Sequence, residues 1–223
     1  MNEILFLFEM IIVFGLILLS KKLFGKNGLF IWIAIASILA NIQVTKSINI
    51  LGISATLGNV LFSSNFLATD ILTECYGVKE GKRGVYISLF AIISYIILSQ
   101  ITILFKPNEI DTINSAMEQL FGIAPRVCIS SIVMCFIANI TDVKLYDILL
   151  KKFNGKKMWI RNNVSTIICN CLENFLFVFF AFVGVYPFKE LFFIAISTCI
   201  IEIIVAICDT PFLYLAKKIK NTN

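Results

Sequence analysis

Apolar residues gather into seven stretches divided by short polar connections, at roughly 4–20, 28–48, 55–76, 84–105, 126–150, 163–185 and 189–216. A helix needs about 20 predominantly apolar residues to cross hydrocarbon, so the pattern predicts seven membrane-spanning helices. The first run is short enough for a signal peptide. It carries Glu3 and Glu9, however, lacks a basic leader, and is followed by Lys21 and Lys22 with no small-residue cleavage site. It reads as an anchor that stays in the chain. The longest connection, about 106–125, is too small for a catalytic domain. The expected architecture is all-α: six core transmembrane helices in 28–223, preceded by an N-terminal helix and basic inner loop in 1–27.

Charge adds orientation. Fourteen of the 19 lysines and arginines fall in alternate connections: Lys21, Lys22 and Lys26; Lys79, Lys82 and Arg83; Lys151, Lys152, Lys156, Lys157 and Arg161; Lys217, Lys218 and Lys220. The opposite connections hold Lys46, Lys106, Arg126 and Lys189 beside Glu109, Asp111 and Glu118. The positive-inside bias then puts the C-terminus in the cytoplasm and, with seven spans, the N-terminus outside a cell membrane. Composition agrees: 59% of residues are hydrophobic, only 15% are charged, and mean hydropathy is +0.91. One soluble core cannot bury that much apolar surface. The net charge of +5 follows membrane topology and implies no nucleic-acid partner. With no histidine, catalysis or metal ligation through imidazole is excluded. The cysteines sit mostly in apolar runs, where a thiol packs as a small hydrophobe, and Cys169-x-Cys171 lacks a second pair for zinc.

Polar residues at membrane depth are the candidates for function, because a charge there costs at least about 2.5–3.5 kcal/mol and usually faces a bundle interior. Phe62, Phe66, Asp70 and Glu74 recur every four residues and share one helix face, with Asn65 beside them. Asn139 and Asp142 lie three apart in the fifth segment. Asn170 and Glu173 repeat that spacing in the sixth, after Ser165 and Thr166. Asn41 lies in the second segment. Several have plainer readings. The amides and hydroxyls can bridge helices, Asp142 can be solvated near the inner end, and Asp209 with Pro211 can simply break a helix. Glu173 is hardest to dismiss, in mid-span among phenylalanines. Acids, amides and aromatic walls without a metal set suit a flat polar solute, a cationic vitamin or an amine. The small pair Ala36-x-x-x-Ala40 permits close helix approach, inside the chain or against a partner.

At these same residues, from about Asn41 to Asp209, the chain resembles the YhhQ family of queuosine precursor transporters. Its block Phe62-Ser-Ser-Asn-Phe-Leu-Ala-Thr-Asp70-Ile-Leu-Thr-Glu74-Cys-Tyr76-Gly77 is similar to the family's F-P-x-x-F-x-x-T-D-x-x-x-E-x-Y-G. A second block runs from Asn139-Ile-Thr-Asp142-Val143 through Trp159-Ile-Arg161-Asn162-Asn163 to Ser165-Thr166, Asn170-x-x-Glu173 and a Phe-rich run ending at Gly184. Asn139 stands where the family usually has Gln, Glu173 where it has Asp, and Ser63 where it has Pro. The first segment has no counterpart in six-span members.

The resemblance implies a carrier rather than an enzyme, with no cofactor and no metal. It would import 7-deazaguanines (7-cyano-7-deazaguanine, 7-aminomethyl-7-deazaguanine or queuine) across the lipid bilayer for salvage into tRNA modification. Asn41, Phe62, Asn65, Phe66, Asp70, Glu74, Asn139, Asp142, Arg161, Thr166, Asn170 and Glu173 would form the solute site, and Arg161 could pair with an inner acid such as Asp142. The alternative is a substrate-binding subunit of an energy-coupling-factor vitamin transporter, docking an ATPase module through Ala36-x-x-x-Ala40. Self-association into a homo-oligomer stays open.

Overall fold

The computed structural model describes residues 1–50, 53–122, 125–184 and 187–219. The side chains of Arg126, Cys128 and Cys135, and residue Lys220, lie outside that set. Helix α1 spans Asn2–Gln43, β1 and β2 span Ser47–Ile50 and Ile53–Thr56, and α2 spans Asn59–Tyr76. The remaining helices are α3 (Val78–Leu104), α4 (Asn114–Phe121), α5 (Pro125–Lys152), α6 (Met158–Phe182) and α7 (Phe188–Lys218).

The 42 residues of α1 are two spans, not one. Gly25 breaks the helix at φ 58°, ψ −137°, a conformation that suits a residue without Cβ. A straight helix would hold Glu9 and Gln43, 34 residues apart, about 51 Å from each other; instead the Gln43 amide donates to the Glu9 carboxylate at 3.0 Å. The chain therefore doubles back at Gly25. Among the described residues, four helices are long and apolar enough by composition to cross a membrane: α1, α3, α6 and α7.

Helix α2 is different. It packs against α1, α3, α5, α6 and α7, and 14 of its 18 residues are buried. No face of it is left for lipid, which is why it tolerates Ser63, Ser64, Asn65, Thr69 and Asp70. The α1 return helix holds it through Trp32 Nε1, which donates to Ser64 Oγ at 3.1 Å, and through Ser37 Oγ, which accepts from Asn65 Nδ2 at 3.1 Å. Ala36 and Ala40 are fully buried in this packing, so the small pair serves contacts within the chain and offers no docking surface. Gly77, at φ 94°, separates α2 from α3 and accounts for the glycine that closes the first motif block.

The second apolar stretch overshoots its helix. Residues 47–50 and 53–56 pair as an antiparallel hairpin, Ser47 opposite Thr56 and Ile50 opposite Ile53. The short α4 lies in the connection between α3 and α5 and has no buried residue.

Candidate functional site

The site is built in layers, because α2 and α5 run toward the basic end of the bundle while α6 starts there and α7 ends there. Four residues of helix advance about 6 Å, so each turn of α2 faces one turn of each neighbour.

At the basic end, Glu74 is a hub. Arg161 Nη1 and Nη2 of α6 donate to its two oxygens at 2.6 and 3.3 Å. The Tyr146 hydroxyl of α5 donates at 3.1 Å, and Lys217 of α7 forms a second ion pair. Arg161 is fully buried, donates also to the carbonyls of Gly155 and Lys156 at 3.2 Å, and lies over the Tyr146 ring. Its partner is thus Glu74, not Asp142: Asp142 sits a full turn deeper on α5 than Tyr146.

One turn in, Asp70 and Asp142 are both fully buried. They are electrostatic neighbours, with Asp209 and Glu74 also near Asp70 and Ser165 against Asp142. Among the described residues no lysine or arginine pairs with either acid, and the two carboxyl groups lie within hydrogen-bonding reach of each other. Asp209 is held by Asn162, whose Nδ2 donates to Oδ1 at 2.7 Å.

A turn deeper, Phe66 packs on Ala138 and Cys169, the residues that precede Asn139 and Asn170. Asn139, Thr166 and Asn170 are buried here. Thr166 Oγ1 and both polar atoms of Asn170 have no partner among the described residues. Deeper again come half-buried Phe62 and Glu173, with Glu202 close to Glu173 and held by Asn174 Nδ2 at 2.7 Å.

The expected set therefore divides. Asp70, Asp142, Phe66, Asn139, Thr166 and Asn170 come together behind Glu74, and Glu173 borders them. Glu74 and Arg161 are spent on each other. Asn65 is turned toward Ser37, and Asn41 Nδ2 donates to the Ser37 carbonyl of its own helix at 2.8 Å. Lys21 is a further departure. Within the basic connection it looks topological, yet it is fully buried, donating to the Ala216 carbonyl at 2.7 Å and lying 3.1 Å from Cys75 Sγ. Tyr146, Asn162, Asp209 and Lys217 also belong to the network. Only Asn162, inside the second motif block, and Asp209, an acid at membrane depth, carried a sequence signal.

Carboxylates, amides and a hydroxyl facing one another with an aromatic wall can bind a planar solute that offers several donors and acceptors on one edge. A family model described as "Putative vitamin uptake transporter" matches residues 56–216. A "Probable queuosine precursor transporter" of Bacillus subtilis (strain 168) is 36% identical over 218 residues, 97% of this chain and 95% of that protein. The family model leaves out α1, whereas an alignment of that extent takes in most of it. No solved structure matches the chain.

Proposed function

The chain belongs to the vitamin uptake transporter family, and we propose that it imports queuosine precursors of the 7-deazaguanine class, among them 7-cyano-7-deazaguanine, 7-aminomethyl-7-deazaguanine and queuine. The observation that carries this reading is the buried layer of Asp70, Asn139, Thr166 and Asn170 around Phe66. Burying polar groups such as those of Thr166 and Asn170 without partners among the described residues is costly, and a guanine-like edge would supply the missing ones. Asp70 accepts the ring N1–H and 2-amino donors, with Glu173 as the second acceptor. Asn139 and Asn170 meet the carbonyl side, and Phe66 or Phe62 covers the ring. The Bacillus relative's name points to the same solutes. The basic ends of the helices face the cytoplasm in this reading, with the N-terminus outside.

A stand-alone carrier is favoured over a subunit of an energy-coupling-factor complex, because the small-residue pair that would dock a module is buried inside the chain. The test is competition for uptake of a labelled 7-deazaguanine into vesicles. A site built to pair polar edges rejects analogues that leave its groups unpaired, often by about 10⁴-fold. 7-Deazaadenine, which reverses donor and acceptor at that edge, should compete poorly. Equal competition by the two bases refutes edge recognition.

A further inference from the structure

The end of α7 is held unlike the rest of that helix. Just before Pro211, two bonds pin α7 to α6: Asn162 to Asp209 and Asn163 Nδ2 to Thr210 Oγ1, each 2.7 Å. Pro211 then lies inside the helix, where it removes one helical bond, having no N–H to give the carbonyl four residues earlier, and its ring crowds that carbonyl. Beyond it, the last two turns are fastened by polar contacts to three different helices. The Tyr214 hydroxyl accepts from the Trp159 backbone N–H at 3.3 Å, the Ala216 carbonyl accepts from Lys21, and Lys217 pairs with Glu74.

From this geometry we infer that Pro211–Lys218 is an inner gate, hinged at Pro211 and latched by Lys217 on Glu74. The inference rests on the carrier reading above. A solute held at the level of Asp70 and Asn170 leaves toward the basic end only past the Glu74 layer, one turn away. That layer has unequal sides. Arg161 is fully buried and anchored to the α5–α6 turn, whereas the Lys217 side chain is 53% exposed. An exposed pair is weak and a buried one costly to break, so the α7 side releases first while α6 stays on α2. Glu74 and Arg161 are thereby positioning residues of the gate rather than solute ligands. The first span takes part as well: Lys21 holds the carbonyl next to Lys217 and keeps the latch within reach of Glu74.

Cys169, fully buried behind the gate against Phe66, is a built-in reporter. In the full-length chain carrying Cys169 as its single cysteine, a membrane-impermeant methanethiosulfonate is applied to vesicles of either orientation. Lys217→Gln should speed labelling by about two- to fivefold, as loss of a half-exposed ion pair allows, and Glu74→Gln, which also loosens Arg161 and Tyr146, by about tenfold or more, in both cases only when the reagent reaches the basic end. Pro211→Ala should slow labelling. If Glu74→Gln fails to reach the membrane, Lys217→Gln decides alone. Unchanged labelling in Lys217→Gln, or acceleration from the opposite face, overturns the gate. Labelling needs no solute, so a wrong assignment of the cargo appears in uptake competition and leaves this result untouched.

Discussion

Replacing Arg161 with methionine removes a fully buried guanidinium that makes two bonds to Glu74 and one each to the carbonyls of Gly155 and Lys156. Breaking one partner out of a buried ion pair costs about 3–5 kcal/mol, largely because the other charge is left uncompensated. Here Glu74 keeps Lys217 and the Tyr146 hydroxyl, so the lower end applies: about 3 kcal/mol, enough to deplete the folded carrier. Lys156, five residues earlier, is the contrast. Its side chain is exposed and only its carbonyl is used, so Lys156→Gln should stay within about 0.5 kcal/mol of the parent. The double variant Arg161→Met with Glu74→Gln tests the cause. It strands no buried charge and should recover about 1 kcal/mol or more relative to Arg161→Met alone, a coupling typical of directly bonded groups. Thermal unfolding in detergent micelles, read alongside the amount of protein in the membrane, measures the parent, these three variants and Glu74→Gln alone, which closes the cycle. Equal tolerance at Arg161 and Lys156, or strictly additive losses in the double variant, would refute the reasoning.

Two further outcomes follow from single contacts. Asp70→Asn keeps the shape of the site but replaces an acceptor-only group, so the protein should reach the membrane in parental amount and lose uptake; full transport by this variant counts against Asp70 as a solute ligand. Gly81→Ala should gain about 1 kcal/mol from helix propensity, but its Cβ would lie 2.1 Å from Thr73 Oγ1, and such overpacking costs about 1–3 kcal/mol. The unfolding midpoint should therefore fall, and adding Thr73→Ala should restore it; a Gly81→Ala variant as stable as the parent shows that α2 and α3 are not so tightly apposed.

What the sequence discloses here depends on how local the deciding interaction is. Apolar blocks place the spans because lipid solvates each helix by itself, and the break in α1 falls inside the Lys21–Lys26 connection that separates the first two blocks. The edges fail where hydropathy cannot tell a span from a strand: Ser47–Ile50 is apolar enough to prolong the second block, but its pairing with Ile53–Thr56 ends the helix at Gln43. The row of Phe62, Phe66, Asp70 and Glu74 is legible because one helical period creates it. Which acid Arg161 meets is not. Asp142 and Glu74 both approach the basic end, and the choice is made by the relative heights of α2, α5 and α6, which no single segment encodes. Lys21 is the extreme case. Its role is set by the carbonyl of Ala216, 195 residues away, and by sequence it cannot be told from Lys22 beside it, which is exposed. The same argument separates ligand from latch. Asp70 and Glu74 are equivalent in the motif, one turn apart on one face, and differ only in what the other helices bring to them: a fellow acid, backed by buried Asn170 and Thr166 a turn deeper, for the one, and two cations and a phenol for the other.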